Sequence, residues 1–226
     1  MNSMPEQSRS PSRLAALETM SPAYFGLVMS TGIVSLAANL LDMVLLAQSL
    51  FVLNIVFYPV LWVLYALRLK HYRRAMLLDL SDHLRGPGFF TLVAATSLLG
   101  SQSLLLADSV PTALAFWVLA LLLWVGLTYT FFTLLTVKEH KPPLNEGING
   151  GWLLAVVATQ SLAVLSALLA ARIGQPGKLE LNFFALSMWL WGGMLYIWMI
   201  SLIFYRYTFF RFSPADLAPP YWINMG

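Results

Sequence analysis

Residues 87–97 read Pro87-Gly88-Phe89-Phe90-Thr91-Leu92-Val93-Ala94-Ala95-Thr96-Ser97, a helix start followed by a run of small apolar residues. The chain repeats this pattern. Residues 22–32 read PAYFGLVMSTG, and residues 150–160 read GGWLLAVVATQ. When Tyr24, Phe89 and Trp152 are superposed, Val28, Val93 and Val156 coincide, and so do Thr31, Thr96 and Thr159. The step from Tyr24 to Phe89 nearly equals the step from Phe89 to Trp152, so the period is close to constant. In each copy the threonine follows the aromatic by seven residues, about two helical turns, and so lies on nearly the same face. One unit is therefore used several times. A fourth copy begins at Tyr221-Trp222 after Pro219-Pro220, and the sequence ends at Gly226. The chain reads as an N-terminal fragment, one that is not expected to transport alone.

The composition is that of a membrane protein: 59% hydrophobic and 10% charged, where a soluble domain is nearer a quarter charged. Cysteine is absent, which excludes disulfides and thiolate metal sites. Nothing calls for a cofactor, a metal or a nucleic acid. Residues 1–20 form a polar leader without the apolar core of a signal peptide, expected to be poorly ordered. Residues 21–226 form the transmembrane domain.

Six spans are expected, at about 22–41, 43–69, 88–107, 111–137, 151–173 and 181–207. Ser21-Pro22 supplies an N-cap and a first-turn proline. Pro59 is placed to kink the second span. Residues 68–86 are basic with helically spaced Met76, Leu77, Leu80 and Leu84, and read equally as an interfacial helix or a solvated loop. The fold class is all-α and polytopic, built from helical hairpins around a central pore. The small-residue odd spans belong inside and the bulkier even spans toward lipid.

Lysine and arginine set the orientation. Arg9, Arg13, Arg68, Lys70, Arg73, Arg74, Arg85, Lys138, Lys141, Arg206 and Arg211 fall on one side, and only Arg172 and Lys178 on the other. The positive-inside rule places the N-terminus in the cytoplasm. The expected location is the plasma membrane, a bacterial inner membrane.

The span interiors hold essentially no ionisable side chain, which gives no support to a proton relay or an intramembrane enzyme. His71, His83 and His140 lie in loops and read as solvated. The polar groups that remain are hydroxyls and amides. Ser30, Thr31, Thr96, Ser97, Thr159 and Gln160 are the candidate pore-lining residues. A membrane threonine taken alone reads as bonded to its own i−4 carbonyl. Three at matched depth read equally as a pore ring. Tyr24, Phe25, Gly88, Phe89, Phe90, Asn149, Gly150, Gly151 and Trp152 are expected at the pore mouth. There the N-termini of the odd spans converge with their partial positive charge, and glycines would let an anion approach backbone N–H groups.

Five runs of sequence carry a resemblance: residues 21–35 (SPAYFGLVMSTGIVS), 83–94 (HLRGPGFFTLVA), 141–161 (KPPLNEGINGGWLLAVVATQS), 202–210 (LIFYRYTFF) and 219–226 (PPYWINMG). They closely resemble the tellurite-resistance/C4-dicarboxylate transporter family, which includes yeast malic acid transporters and is related to plant slow anion channels. The resemblance implies ten helices in five hairpins around a pore, assembled as a homotrimer. It implies transport of small anions, C4-dicarboxylates such as malate among them, and a link to tellurite resistance. The helix carrying the gate of the related channels has no counterpart in this stretch. The competing readings are a non-transporting membrane scaffold or receptor, and a membrane enzyme.

Overall fold

The structure is a computed structural model that describes residues 15–211 and Tyr221. Positions 1–14 of the leader lie outside the described residues, and so does the fourth copy apart from Tyr221. The elements are α1 (Ala15–Glu18), α2 (Gly26–Leu40), α3 (Val44–His71), α4 (Arg73–Leu80), α5 (Phe90–Leu106), α6 (Val110–Val137), α7 (Leu144–Gly147), α8 (Leu154–Arg172) and α9 (Gly177–Phe209). Tight 3-10 turns at Pro22–Phe25, Gly86–Phe89 and Gly150–Leu153 lead into α2, α5 and α8. Six of these helices are long and apolar enough to cross a membrane, and no strand occurs among the described residues. The protein is an all-α polytopic membrane protein.

The spans pair as three hairpins, α2 with α3, α5 with α6 and α8 with α9. The odd spans form an inner row in which α5 packs between α2 and α8. Burial follows this order. The most apolar stretch of α5 is 89% buried and that of α8 67%, against 28% or less for α3, α6 and α9. The first span is also only 28% buried, because one edge of α2 has no neighbour among the described residues. Small residues explain the closeness of the inner row. A Cβ on Gly100 would stand 2.8 Å from Leu165 Cδ2 and 3.0 Å from Phe116 Cβ, so α5 approaches both neighbours only with glycine there.

The repeat is visible in the packing. Phe25 is fully buried and meets Tyr58, Trp62 and Tyr65 edge-on, with centroids 5.0–5.9 Å apart. Phe90, its counterpart one repeat on, meets Phe131 at 5.6 Å. Leu153 holds the same place in the third hairpin, in a cluster with Ile203. Asp42 and Asp108 occupy equivalent turns after α2 and α5, with φ of 58° and 49°. Asp is one of the few non-glycine residues that tolerate this left-handed region.

Some expectations change. The end of the leader is packed: Leu17 and Met20 are buried against α3 and the start of the second hairpin. The sixth span starts at Gly177, ahead of residue 181, because Lys178 and Glu180 are tolerated in a first turn outside the apolar region. The basic segment holds a true helix, α4, whose Met76 and Leu80 pack inward while Leu77 and Leu78 stay exposed.

Candidate pore-lining site

The faces of α2, α5 and α8, with Tyr196 of α9, line a half-open cavity of about 600 Å³. Its polar lining is Ser30, Ser101, Gln160 and Ser161, and the remainder is apolar, including Met29, Ile33, Leu98, Val156 and Val157. No charged side chain among the described residues lines it. The hydroxyls of Ser30, Ser101 and Ser161 donate to the carbonyls of Leu27, Ser97 and Ala158. Gln160 donates one amide hydrogen to Trp189 O at 3.1 Å, and Gly192 makes room for it, since a Cβ there would stand 2.6 Å from Gln160 Nε2. These are weak, neutral groups. To donate to an anion, each serine hydroxyl would have to turn away from its carbonyl, whereas Gln160 keeps a second amide hydrogen with no partner among the described residues; none of the four offers a permanent counter-charge.

Two of the expected lining residues, Ser30 and Gln160, face this cavity. The expected ring of threonines does not form. Thr96 and Thr159 are fully buried, and their hydroxyls point to the outer helices. Thr96 Oγ1 donates to Leu92 O and stands 2.9 Å from Tyr58 Oη. Thr159 Oγ1 donates to Ala155 O and accepts the Trp124 indole N–H at 2.9 Å. Ser97 is likewise buried, away from the cavity. Thr31 is half-buried on the open edge of α2 and makes no side-chain hydrogen bond among the described residues.

At the mouth the three 3-10 turns lie side by side. Ser21 Oγ accepts from Ala23 N and Asn149 Oδ1 from Gly151 N, so each caps its own helix start. The mouth glycines serve packing rather than anion approach. A Cβ on Gly88 would stand 3.0 Å from Ala23 N, where two hairpins touch, and one on Gly151 would stand 2.8 Å from Asn149 Oδ1. Gly150 is buried as well. Phe25, Phe89 and Phe90 are buried, Trp152 is half-buried and donates to Gly147 O, and Tyr24 is exposed. His83 lies in a loop, as expected, but is half-buried rather than fully solvated. Its ring lies 6.3 Å from that of Trp152, and its Nδ1 is buried without a partner among the described residues. Burial, then the charge of Lys138, lowers its pKa.

Two buried amides were not foreseen. Asn54 Nδ2 donates to Val28 O at 3.0 Å and to Gln102 Oε1 at 2.9 Å, tying α3 to both α2 and α5. A Cβ on Gly32 would come within 3.1 Å of Asn54 Nδ2, which explains the glycine. A lone amide in an apolar span was the signal in the sequence. Also unforeseen was the pairing of Arg68, 1% exposed, with Asp79 at 2.6 Å, although both charges stand in the basic segment.

Residues 19–226 match the voltage-dependent anion channel family. The chain belongs to that family. Two uncharacterised transporters of Methanocaldococcus jannaschii are similar to it. One is 24% identical over 225 residues, covering 95% of this chain and 63% of the relative. The other is 23% identical over 220 residues, covering 93% of this chain and 62% of the relative. The chain thus spans less than two thirds of the length of these two relatives. No solved structure matches.

Proposed function

We propose that this chain supplies three hairpins of a pore that passes small anions across a membrane, with C4-dicarboxylates such as malate the substrate class implied by the resemblance. A contribution to tellurite resistance would follow from the same activity. The observation that carries the reading is the cavity between parallel odd spans, whose polar lining is Ser30, Ser101, Gln160 and Ser161, with no charged side chain among the described residues. Three helix N-termini gather at one end of it. Their partial positive charge attracts an anion, and neutral donors inside bind it weakly enough to let it leave. A lysine at mid-span would cost about 2.5–3.5 kcal/mol on insertion scales and would hold the anion.

In this reading the N-terminus, the α4 segment and the loop before α8 face the cytoplasm of a bacterial inner membrane, a placement that the lysine and arginine distribution supports. Two more hairpins complete the ring, and the complete protein assembles as a homotrimer. The test is anion flux from proteoliposomes of the full-length protein, with malate compared against chloride and nitrate. Ser30→Cys treated with a charged thiol reagent should lose flux, while the unsubstituted protein given the same reagent should not. Undiminished flux after complete labelling overturns the assignment of this cavity.

A further inference from the structure

Helix α4 follows α3 after the single residue Tyr72. At its other end the C-cap residue, Ser81, accepts from Lys138 Nζ at 3.0 Å, and Lys138 is where α6 stops. The helix thus runs from the end of one even span to the end of the next. Both of those spans lie on the outside of the bundle, with only 22% and 17% of their most apolar stretches buried. α4 therefore follows the lipid-facing rim of the bundle rather than its axis. α3 has 28 residues, a length of about 42 Å against about 30 Å for the hydrocarbon core. Its last turn, with Arg68, Lys70 and His71, reaches headgroup level, and α4 begins there.

At about 3.6 residues per turn α4 has two distinct faces. Met76, Asp79 and Leu80 form the inner one, packed on the first hairpin and paired with Arg68 and Arg85. Arg73, Arg74, Leu77 and Leu78 form the outer one, and all four are exposed, each leucine by 60%. Each leucine stands four residues past an arginine, so the two kinds of side chain lie next to each other. Lys70, Arg73 and Arg74 make no ion pair or side-chain hydrogen bond among the described residues. The acids of the segment are engaged elsewhere. Asp79 faces inward, and Asp82 Oδ1 accepts from the backbone N–H groups of Leu84 and Arg85.

We propose that the outer face of α4 binds anionic phospholipid. Leu77 and Leu78 enter the boundary between headgroups and acyl chains, and Lys70, Arg73 and Arg74 reach up to the phosphates. The position on the rim and the two leucines select a lipid over a soluble acidic partner. The three unpaired cations select an anionic lipid over a zwitterionic one, in which a choline or ethanolamine group offsets the phosphate. Each such cation strengthens binding to an anionic surface about fivefold. The inference does not depend on anion transport, and its readout is lipid contact rather than flux.

The test uses the full-length protein in nanodiscs of phosphatidylcholine alone or of an equal mixture with phosphatidylglycerol. Residues 1–226 hold no cysteine, and any cysteine elsewhere in the protein is first replaced by serine. A bimane label is placed at Leu78→Cys, and its quenching by lipids with brominated acyl chains is measured. Val63→Cys, exposed in the middle of α3, sets the level for lipid contact, and Glu139→Cys, exposed in the loop after α6, sets the level for water. In the mixed discs Leu78→Cys should be quenched about half as strongly as Val63→Cys, as suits a shallow position. In phosphatidylcholine alone it should fall to the Glu139→Cys level. Adding Arg73→Gln and Arg74→Gln should abolish quenching in the mixed discs as well, whereas Arg73→Lys with Arg74→Lys should retain it. Both arginines are exposed and unpaired, so neither pair of changes removes a contact of the fold. No quenching of Leu78→Cys in the mixed discs overturns the proposal and leaves the face to water or to a soluble partner. Equal quenching in both kinds of disc, or quenching that survives the loss of both arginines, also overturns it, because the leucines would then insert without regard to headgroup charge.

Discussion

The indole N–H of Trp124 donates to the hydroxyl of Thr159 at 2.9 Å, across the boundary between the second and third hairpins. Both residues are buried, so the bond joins units rather than facing a permeating ion. Thr159→Val keeps the shape and removes the acceptor, and Trp124→Phe removes the donor. A double-mutant cycle on thermal unfolding in detergent should give a coupling of about 0.6 kcal/mol, the usual size for such bonds in membranes. The cycle on Tyr58→Phe and Thr96→Val should give the same. A coupling near zero at both pairs would show the bonds to be incidental.

Accessibility separates the cavity from these joints. Ser30→Cys and Gln160→Cys should react with a water-soluble thiol reagent in membranes, because both residues line the cavity. Thr96→Cys and Thr159→Cys should stay unmodified, because both residues are fully buried. Labelling is measured by mass spectrometry after a fixed exposure. Equal reaction at all four positions would contradict the packing.

The helices were legible because hydropathy and length decide spans, and the repeat was legible because aromatic, valine and threonine keep one spacing. Which way the threonines point was not. A seven-residue spacing fixes a common face of the helix but not its direction. The direction is chosen by Tyr58 and Trp124, which stand far from their threonines in the chain and on a different hairpin. The mouth glycines were misread for a similar reason. Glycine marks close approach, and only the fold shows that the approaching group at Gly88 is the backbone of Ala23. The partial burial of His83 was not legible because Trp152, which packs against this loop residue, belongs to the entry of the next hairpin, far downstream.

His83 gives a pH dependence with a definite sign. Its pKa is lowered from 6.5, first by burial and then by Lys138, with Lys141 adding to the effect and Asp82 opposing it. The packed state therefore favours the neutral ring. Above the ordinary histidine pKa both states are neutral, and the contact with Trp152 keeps its full contribution. As pH falls below 6.5 toward the lowered value, the unfolded state takes up the proton first, and the folded state loses stability. The unfolding midpoint of the native chain should fall more than that of His83→Gln between about pH 7.5 and pH 5. Parallel pH profiles would sink the idea.

Arg68 and Asp79 make the strongest prediction about stability. Arg68 is 1% exposed, and its Nη2 donates to Asp79 Oδ2 at 2.6 Å and to Glu18 O at 3.0 Å. Arg85, nearly half-exposed, reaches the other oxygen of Asp79 at 2.7 Å. One carboxylate thus holds two arginines and, through Arg68, the end of the leader. Arg68 Nε and Nη1 have no partner among the described residues, so the side chain depends on Asp79 for its counter-charge. Asp79→Ala leaves a buried, unpaired guanidinium and should cost about 3–5 kcal/mol. Removing both charges with Arg68→Met and Asp79→Leu should cost much less, since a buried pair replaced by apolar groups of similar volume is often neutral. Arg85→Ala removes only the exposed partner and should cost about 1 kcal/mol or less. The order is read from unfolding midpoints in detergent, with limited proteolysis of the leader as a second signal, because Asp79→Ala should also free the segment from Leu17 to Met20. If the double variant is as unstable as Asp79→Ala alone, the cost comes from lost packing around α4 and not from the stranded charge.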